Sequence, residues 1–269
     1  MRSIQICCCF ILFIVTGCKK VIHVNLNDAD KQYVIEGVIT NQPGTCSVLL
    51  SQTKNFEDDN NFAGVSGATV QITEQGGPTT LLTETSTGVY EASALYGASG
   101  KTYLLSVSIN GHQFTASSTM PQPVNMDSIF ITKDDEVRGK DRLLANVQFK
   151  DPPQPGNNYR FVQYVNGVKE KQIFIRNDDL SNGNAVTTKL RYPKDDNGDN
   201  EIKPGSLVQI DMLCIDSAVY KYWYSLNKGA TGGSGMSSAT PANPVSNLQG
   251  GALGYFSAHT LQSKTVVAR

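Results

Sequence analysis

Cysteine, histidine and clustered acids are the side chains through which this sequence could do chemistry, and their positions sort the possibilities. Six cysteines suggest a disulfide framework until they are placed along the chain. Cys7, Cys8 and Cys9 sit in an apolar run, Ile4 to Val15, that follows Arg2 and has the length of a signal peptide, too short for a permanent membrane span. Val15-Thr16-Gly17 puts small residues just before Cys18, so residues 1–17 read as a lipoprotein signal peptide and Cys18 as the lipidated start of the mature chain. Only Cys46 and Cys214 remain. Each lies in an alternating pattern where cysteine packs as a small apolar residue, and a disulfide would need their Cα atoms within ~7 Å. Two separate, buried thiols are therefore expected.

The other reactive groups do not assemble into a familiar catalytic pattern. His23, His112 and His259 are scattered, with no second ligand at zinc spacing and no triad partners. Gly100-Lys101-Thr102 resembles the tail of a phosphate-binding loop, but position 95 is Leu95 where that loop needs glycine, and a strand follows. Gly64 to Gly67 and Gly97 to Gly100 are each one residue too short for a nucleophile elbow. No catalytic residue, no enzymatic activity and no cofactor are expected. Two acidic loops stand apart. Asp195, Asn197, Asp199 and Glu201 alternate as calcium ligands do, yet glycine comes fourth, at Gly198, and a plain Asn197-Gly198 turn explains the same residues. Phe56, Glu57, Asp58, Asp59 and Phe62 form either a solvated loop with its aromatics tucked beneath or a contact surface for a partner.

The elements that must position these groups are mostly strands. Tyr103, Leu105, Val107 and Ile109 alternate with Leu104, Ser106 and Ser108, and Asn110-Gly111 follows as a tight turn, so Gln113 to Thr119 should return antiparallel. Similar alternation at Tyr33, Ile35 and Ile39 and at Ala68, Val70 and Ile72 gives an immunoglobulin-like β-sandwich over residues 33–120, tethered by residues 18–32. Pro121 and Pro123 make residues 121–126 a stiff linker. A second β-rich domain, 127–269, follows, with strands around Ile129 to Ile131, Leu143 to Phe149, Tyr159 to Val165 and Leu207 to Ile215. Its one helix spans 217–228, capped by Asp216 or Ser217, with Val219, Tyr222, Trp223 and Leu226 on one apolar stripe that pins it to a sheet. Gly229 to Pro244 reads as an irregular loop. With 23 Lys and Arg against 24 Asp and Glu, and Arg2 lost on processing, no basic surplus exists to attract nucleic acid.

Several segments together resemble a known family. Cys18-Lys19-Lys20-Val21-Ile22, Tyr33 to Gly37, Phe62 through Val70, Gly88-Val89-Tyr90, Met120-Pro121 and Asn243 to Phe256 are similar to a lipoprotein family of Bacteroidota-type envelopes, catalogued as domain of unknown function forty-two forty-nine. The resemblance implies an outer-membrane lipoprotein held by acyl chains, with a TonB-dependent transporter of large nutrients as partner, and it implies no reaction. It leaves open a structural role as adhesin or envelope assembly protein. Surface-exported members of such envelopes carry acids after the lipidated cysteine; Lys19 and Lys20 stand there instead, so both the periplasmic and the cell-surface face remain open.

Overall fold

Alternating strands are apolar on one side and gain stability by burying that side against another layer. A computed structural model of the chain, describing residues 31–54, 62–134, 142–192, 201–230 and 243–269, is mainly β, with three sheets and one helix among those residues. The first half supplies β1 (Tyr33–Thr40), β2 (Ser47–Gln52), β3 (Thr69–Glu74), β4 (Thr79–Leu81), β5 (Thr83–Ser86), β6 (Val89–Glu91), β7 (Thr102–Ile109) and β8 (His112–Thr119). The second supplies β9 (Met126–Lys133), β10 (Leu143–Lys150), β11 (Asn158–Val165), β12 (Val168–Lys169), β13 (Phe174–Asn177), β14 (Ala185–Leu190) and β15 (Leu207–Ile215). Helix α1 (Ser217–Ala230), β16 (Leu248–Gln249) and β17 (Leu253–Val267) close the chain.

The largest sheet runs β12-β11-β15-β17-β1-β2-β6-β5, with β13 also paired to β11. A five-stranded sheet, β16-β8-β7-β3-β4, shares one hydrophobic cluster with its β1-side half: Ile35, Ile39, Val48, Leu50 and Tyr90 meet Val70, Ile72, Tyr103, Leu105 and Val107. A three-stranded sheet, β14-β10-β9, shares a second cluster with the β11-side half, where Leu144, Val147 and Phe149 meet Tyr159, Phe161, Val208, Ile210 and Met212. Each such side chain contributes about 1.5–3 kcal/mol when fully buried. A third, smaller cluster lies between α1 and the outer face of the large sheet.

Two Asn-Gly pairs lie at turns, while the expected Asn197-Gly198 turn falls outside the described residues. Asn110 and Gly111 carry φ of 48° and 78° at the β7–β8 turn, and Asn166 and Gly167 repeat this with 50° and 83° after β11. The strand returning from Asn166-Gly167 is split in two: β12 pairs two residues, and β13 then takes up the pairing at Phe161. Helix α1 extends two residues beyond the expected 228. Asp216 is its N-cap, with Oδ1 accepting the Val219 N–H at 2.8 Å. Its Oδ2 accepts from the Ser118 hydroxyl and the Thr119 N–H, so the cap ties the helix to the end of β8.

Strand β17 joins the halves. Leu253 to His259 pair with β1 in parallel, and Thr260 to Val267 pair with β15 antiparallel. Phe256 and Ala258 thereby enter the first cluster, and Val266 packs against the second. The region expected to be a sandwich from residues 33–120 alone thus shares its core and both its sheets with residues 248–259, and Lys31–Arg269 form one compact unit. Residues 121–126 pass between the two clusters, with Met120 buried in the first and Val124 in the second. Close approach of β17 to β1 requires glycine at position 254: its φ is +99°, and a Cβ there would lie 2.0 Å from the Ile35 carbonyl oxygen.

Candidate functional site

The residues singled out in the sequence are not brought together. Cys18, His23, Phe56, Glu57, Asp58, Asp59, Asp195, Asn197 and Asp199 lie outside the described residues. Glu201 is half-buried and Phe62 is 62% exposed. Among the described residues no three His, Cys, Asp or Glu side chains cluster closely enough to hold a metal ion. Cys46 and Cys214 are free and buried, the first in one large cluster and the second in the other, as two separate thiols should be. Burial pushes the Cys46 thiol up to about 12. His112 stacks on Phe114 beside Tyr33, a packing role.

A different site emerges where α1 crosses the outer face of the large sheet. Arg160 is the third residue of β11, flanked by Leu213 of β15 and Ile175 of β13. Alternation sends Tyr159 and Phe161 into the second cluster and turns Arg160 to the opposite face, toward the helix. There its guanidinium carbon lies 3.5 Å from the centroid of the Trp223 ring. Tyr255 and Tyr222 meet Trp223 edge-on at 5.1 and 5.3 Å, and the two tyrosines are 4.8 Å apart. Such a cation over an indole face is worth about 0.5–2 kcal/mol.

Arg160 floors an open cleft of about 380 Å³ between α1 and the segment from β12 to β13. Val162, Ile173 and Leu226 give it an apolar wall, and Lys169, Glu170, Lys171 and Gln172 line its other side. Gln172 holds the two sides together, donating from Nε2 to the Asn227 side-chain oxygen at 3.5 Å, while its N–H donates to the Glu170 carboxylate at 3.1 Å. The Arg160 Nε is buried without a hydrogen-bond partner, and burial pulls the guanidinium pKa down. Burial likewise raises the Tyr222 and Tyr255 hydroxyls to about 12, so both are neutral donors at pH 7. The arrangement offers a positive, preorganised floor beside an apolar wall, the makeup of a small-ligand pocket.

Sequence reasoning assigned Trp223 as the anchor of the helix, and it does pack there. Arg160 went unnoticed. Its signal was a charge on the face shared with Val162 and Tyr164, in a strand otherwise able to bury both sides.

Several of the segments that carried the family resemblance and lie within the described residues are joined by hydrogen bonds. The Tyr90 hydroxyl donates to the Val65 carbonyl and accepts from Ala68 N–H, and the Glu84 carboxylate accepts from Gly67 and Gly88. Asn247 clasps Phe256, accepting its N–H at 3.0 Å and donating to its carbonyl at 2.8 Å, and also donates to Ser117 O on β8. A comparison with curated proteins gave no match. The match to a family is extensive, covering residues 19–265. The chain belongs to the family described as domain of unknown function (DUF4249).

Proposed function

We propose that this protein is a lipid-anchored, non-enzymatic binding module of the outer membrane, an accessory component of a TonB-dependent nutrient-transport complex. The observation that carries the reading is the cleft under α1, which presents a fixed cation and an apolar wall to solvent. The leader expected over residues 1–17, just before Cys18, supports the address. One acyl chain binds a membrane only marginally, and each buried methylene adds about 0.8 kcal/mol, so several chains on Cys18 would make the anchor stable. We read the first pair of sheets as an immunoglobulin-like sandwich that serves as spacer or docking module, with the cleft carried by the second half.

Tagged protein pulled down from detergent-solubilised outer membranes should bring a transporter barrel with it. Recovery of the lipoprotein alone would argue against the accessory role. A second reading, an adhesin or envelope assembly factor, draws on Leu207 and Val267, which pair at one end of the large sheet and are each half exposed. Under it, deletion of the gene leaves growth on every polymeric nutrient unchanged, whereas the transport role requires a defect on at least one.

A further inference from the structure

We propose that the cleft under α1 receives the free C-terminal carboxylate of a short peptide, with Arg160 as the receiving group. This deepens the reading of the cleft as a binding site and rests on it. The Arg160 guanidinium lays one flat face on Trp223; its Nε is buried and the Tyr255 hydroxyl takes one bond, so the donors left for the cleft are those of the terminal nitrogens, which can meet a carboxylate end-on. No carboxylate among the described residues lies within ion-pair distance of it, and Glu36 acts on it only from further off. A largely desolvated cation with no carboxylate bonded to it is costly, and an arriving anion offsets that cost.

The surroundings narrow the anion. Lys169 and Lys171 at the rim add positive charge, while the acid among the lining residues, Glu170, already accepts from Gln172 N–H. Beside the cation, Val162, Ile173 and Leu226 provide the place for an apolar group attached to that anion. A terminal carboxylate next to an apolar last side chain has both parts, and about 380 Å³ accommodates the end of a peptide. Neutral sugar stacking is disfavoured, because Arg160 covers a face of Trp223 and Tyr222 and Tyr255 crowd its edge.

Trp223 is the only tryptophan of the chain, so its fluorescence reports on this cleft directly. Full-length lipoprotein in detergent would be titrated with N-acetyl-alanyl-alanyl-leucine, its C-terminal amide, galacturonate and inorganic phosphate. The free acid should give a saturable change, with the amide weaker by about tenfold or more, as loss of a charged hydrogen-bond pair requires. Arg160→Gln should weaken acid binding by a similar factor. The exposed Lys169→Gln and Lys171→Gln variants, which leave packing alone, should each weaken it about threefold and blunt its salt dependence.

Equal binding of acid and amide, no saturable change with any probe, or unchanged affinity in both lysine variants would overturn the proposal. Tighter binding of galacturonate or phosphate would overturn the peptide assignment in favour of an acidic sugar or a phosphate. Failure here is distinct from failure of the transport role: a transporter recovered by a protein that ignores the acid refutes only this ligand, and acid binding without a recovered transporter refutes only the complex.

Discussion

His259 and Arg160 illustrate how single residues on the outer face of the large sheet are set by what covers them. His259 is buried beneath that covering, with its Nδ1 2.9 Å from the Ser257 hydroxyl, and burial, aided by the Arg160 charge, lowers its pKa to about 3. The imidazole is thus neutral in the folded chain at pH values where the unfolded chain protonates it. Its contribution to stability is complete above about 6.5 and is lost as pH falls toward 3, at up to about 1.4 kcal/mol per pH unit. Urea midpoints should fall between pH 7 and pH 5, and His259→Gln should flatten that fall. Glu84, held below its ordinary value by hydrogen bonds from Ser66, Gly67 and Gly88, titrates beneath this window and does not obscure it. An unchanged slope in the variant would show that His259 is accessible to protons in the folded state. Neither His259 nor Arg160 announced its setting in the sequence, because what lies on that face, Trp223 over Arg160 and the cluster around Tyr222 and Tyr255, is assembled from segments far apart in the chain.

At the scale of elements, two contacts between distant segments are open to test. Asp216 caps α1 through one oxygen and holds β8 through the other. Asp216→Ala removes both, and with capping alone worth about 0.5–2 kcal/mol the loss should reach about 2 kcal/mol, read as a Tm lowered by roughly 5 °C. Asp216→Asn, which keeps a cap acceptor, should recover about half. Gly254→Ala should be worse, costing about 3 kcal/mol or more, since positive φ and the Ile35 carbonyl both oppose the added methyl. Near-native stability of that variant in thermal melts would contradict the parallel pairing of β17 with β1. Local elements were legible because their signals are local. Period-two alternation marked β7 and β10, a near-continuous apolar run marked β15, two Asn-Gly pairs marked turns, and the apolar stripe with Asp216 marked α1. Strand β17 was not legible in the same way. Its first half is buried on both faces, which erases alternation, and its partner in β1 lies 219 residues away at Val34 and Leu253.

For the whole molecule, β17 has the decisive place, because a strand shared by two cores makes neither core separable by cutting the chain between residues 120 and 126. Unfolding the β1 side releases Phe256 and Ala258; unfolding the β15 side releases the other half of the same strand. Opening either side therefore exposes apolar surface on the other, which is the condition for one cooperative transition. Two probes sit on opposite sides. Cys46 belongs to the first cluster, and Trp223 packs against the third, between α1 and the sheet. In a Cys214→Ala variant, the urea dependence of Cys46 labelling and that of Trp223 fluorescence should share one midpoint and one slope. Separated midpoints would mean that β17 can peel from β1 while holding β15. The cleft under α1 would then rest on the β11 side alone, and Asp216, bound to β8, would report the earlier opening.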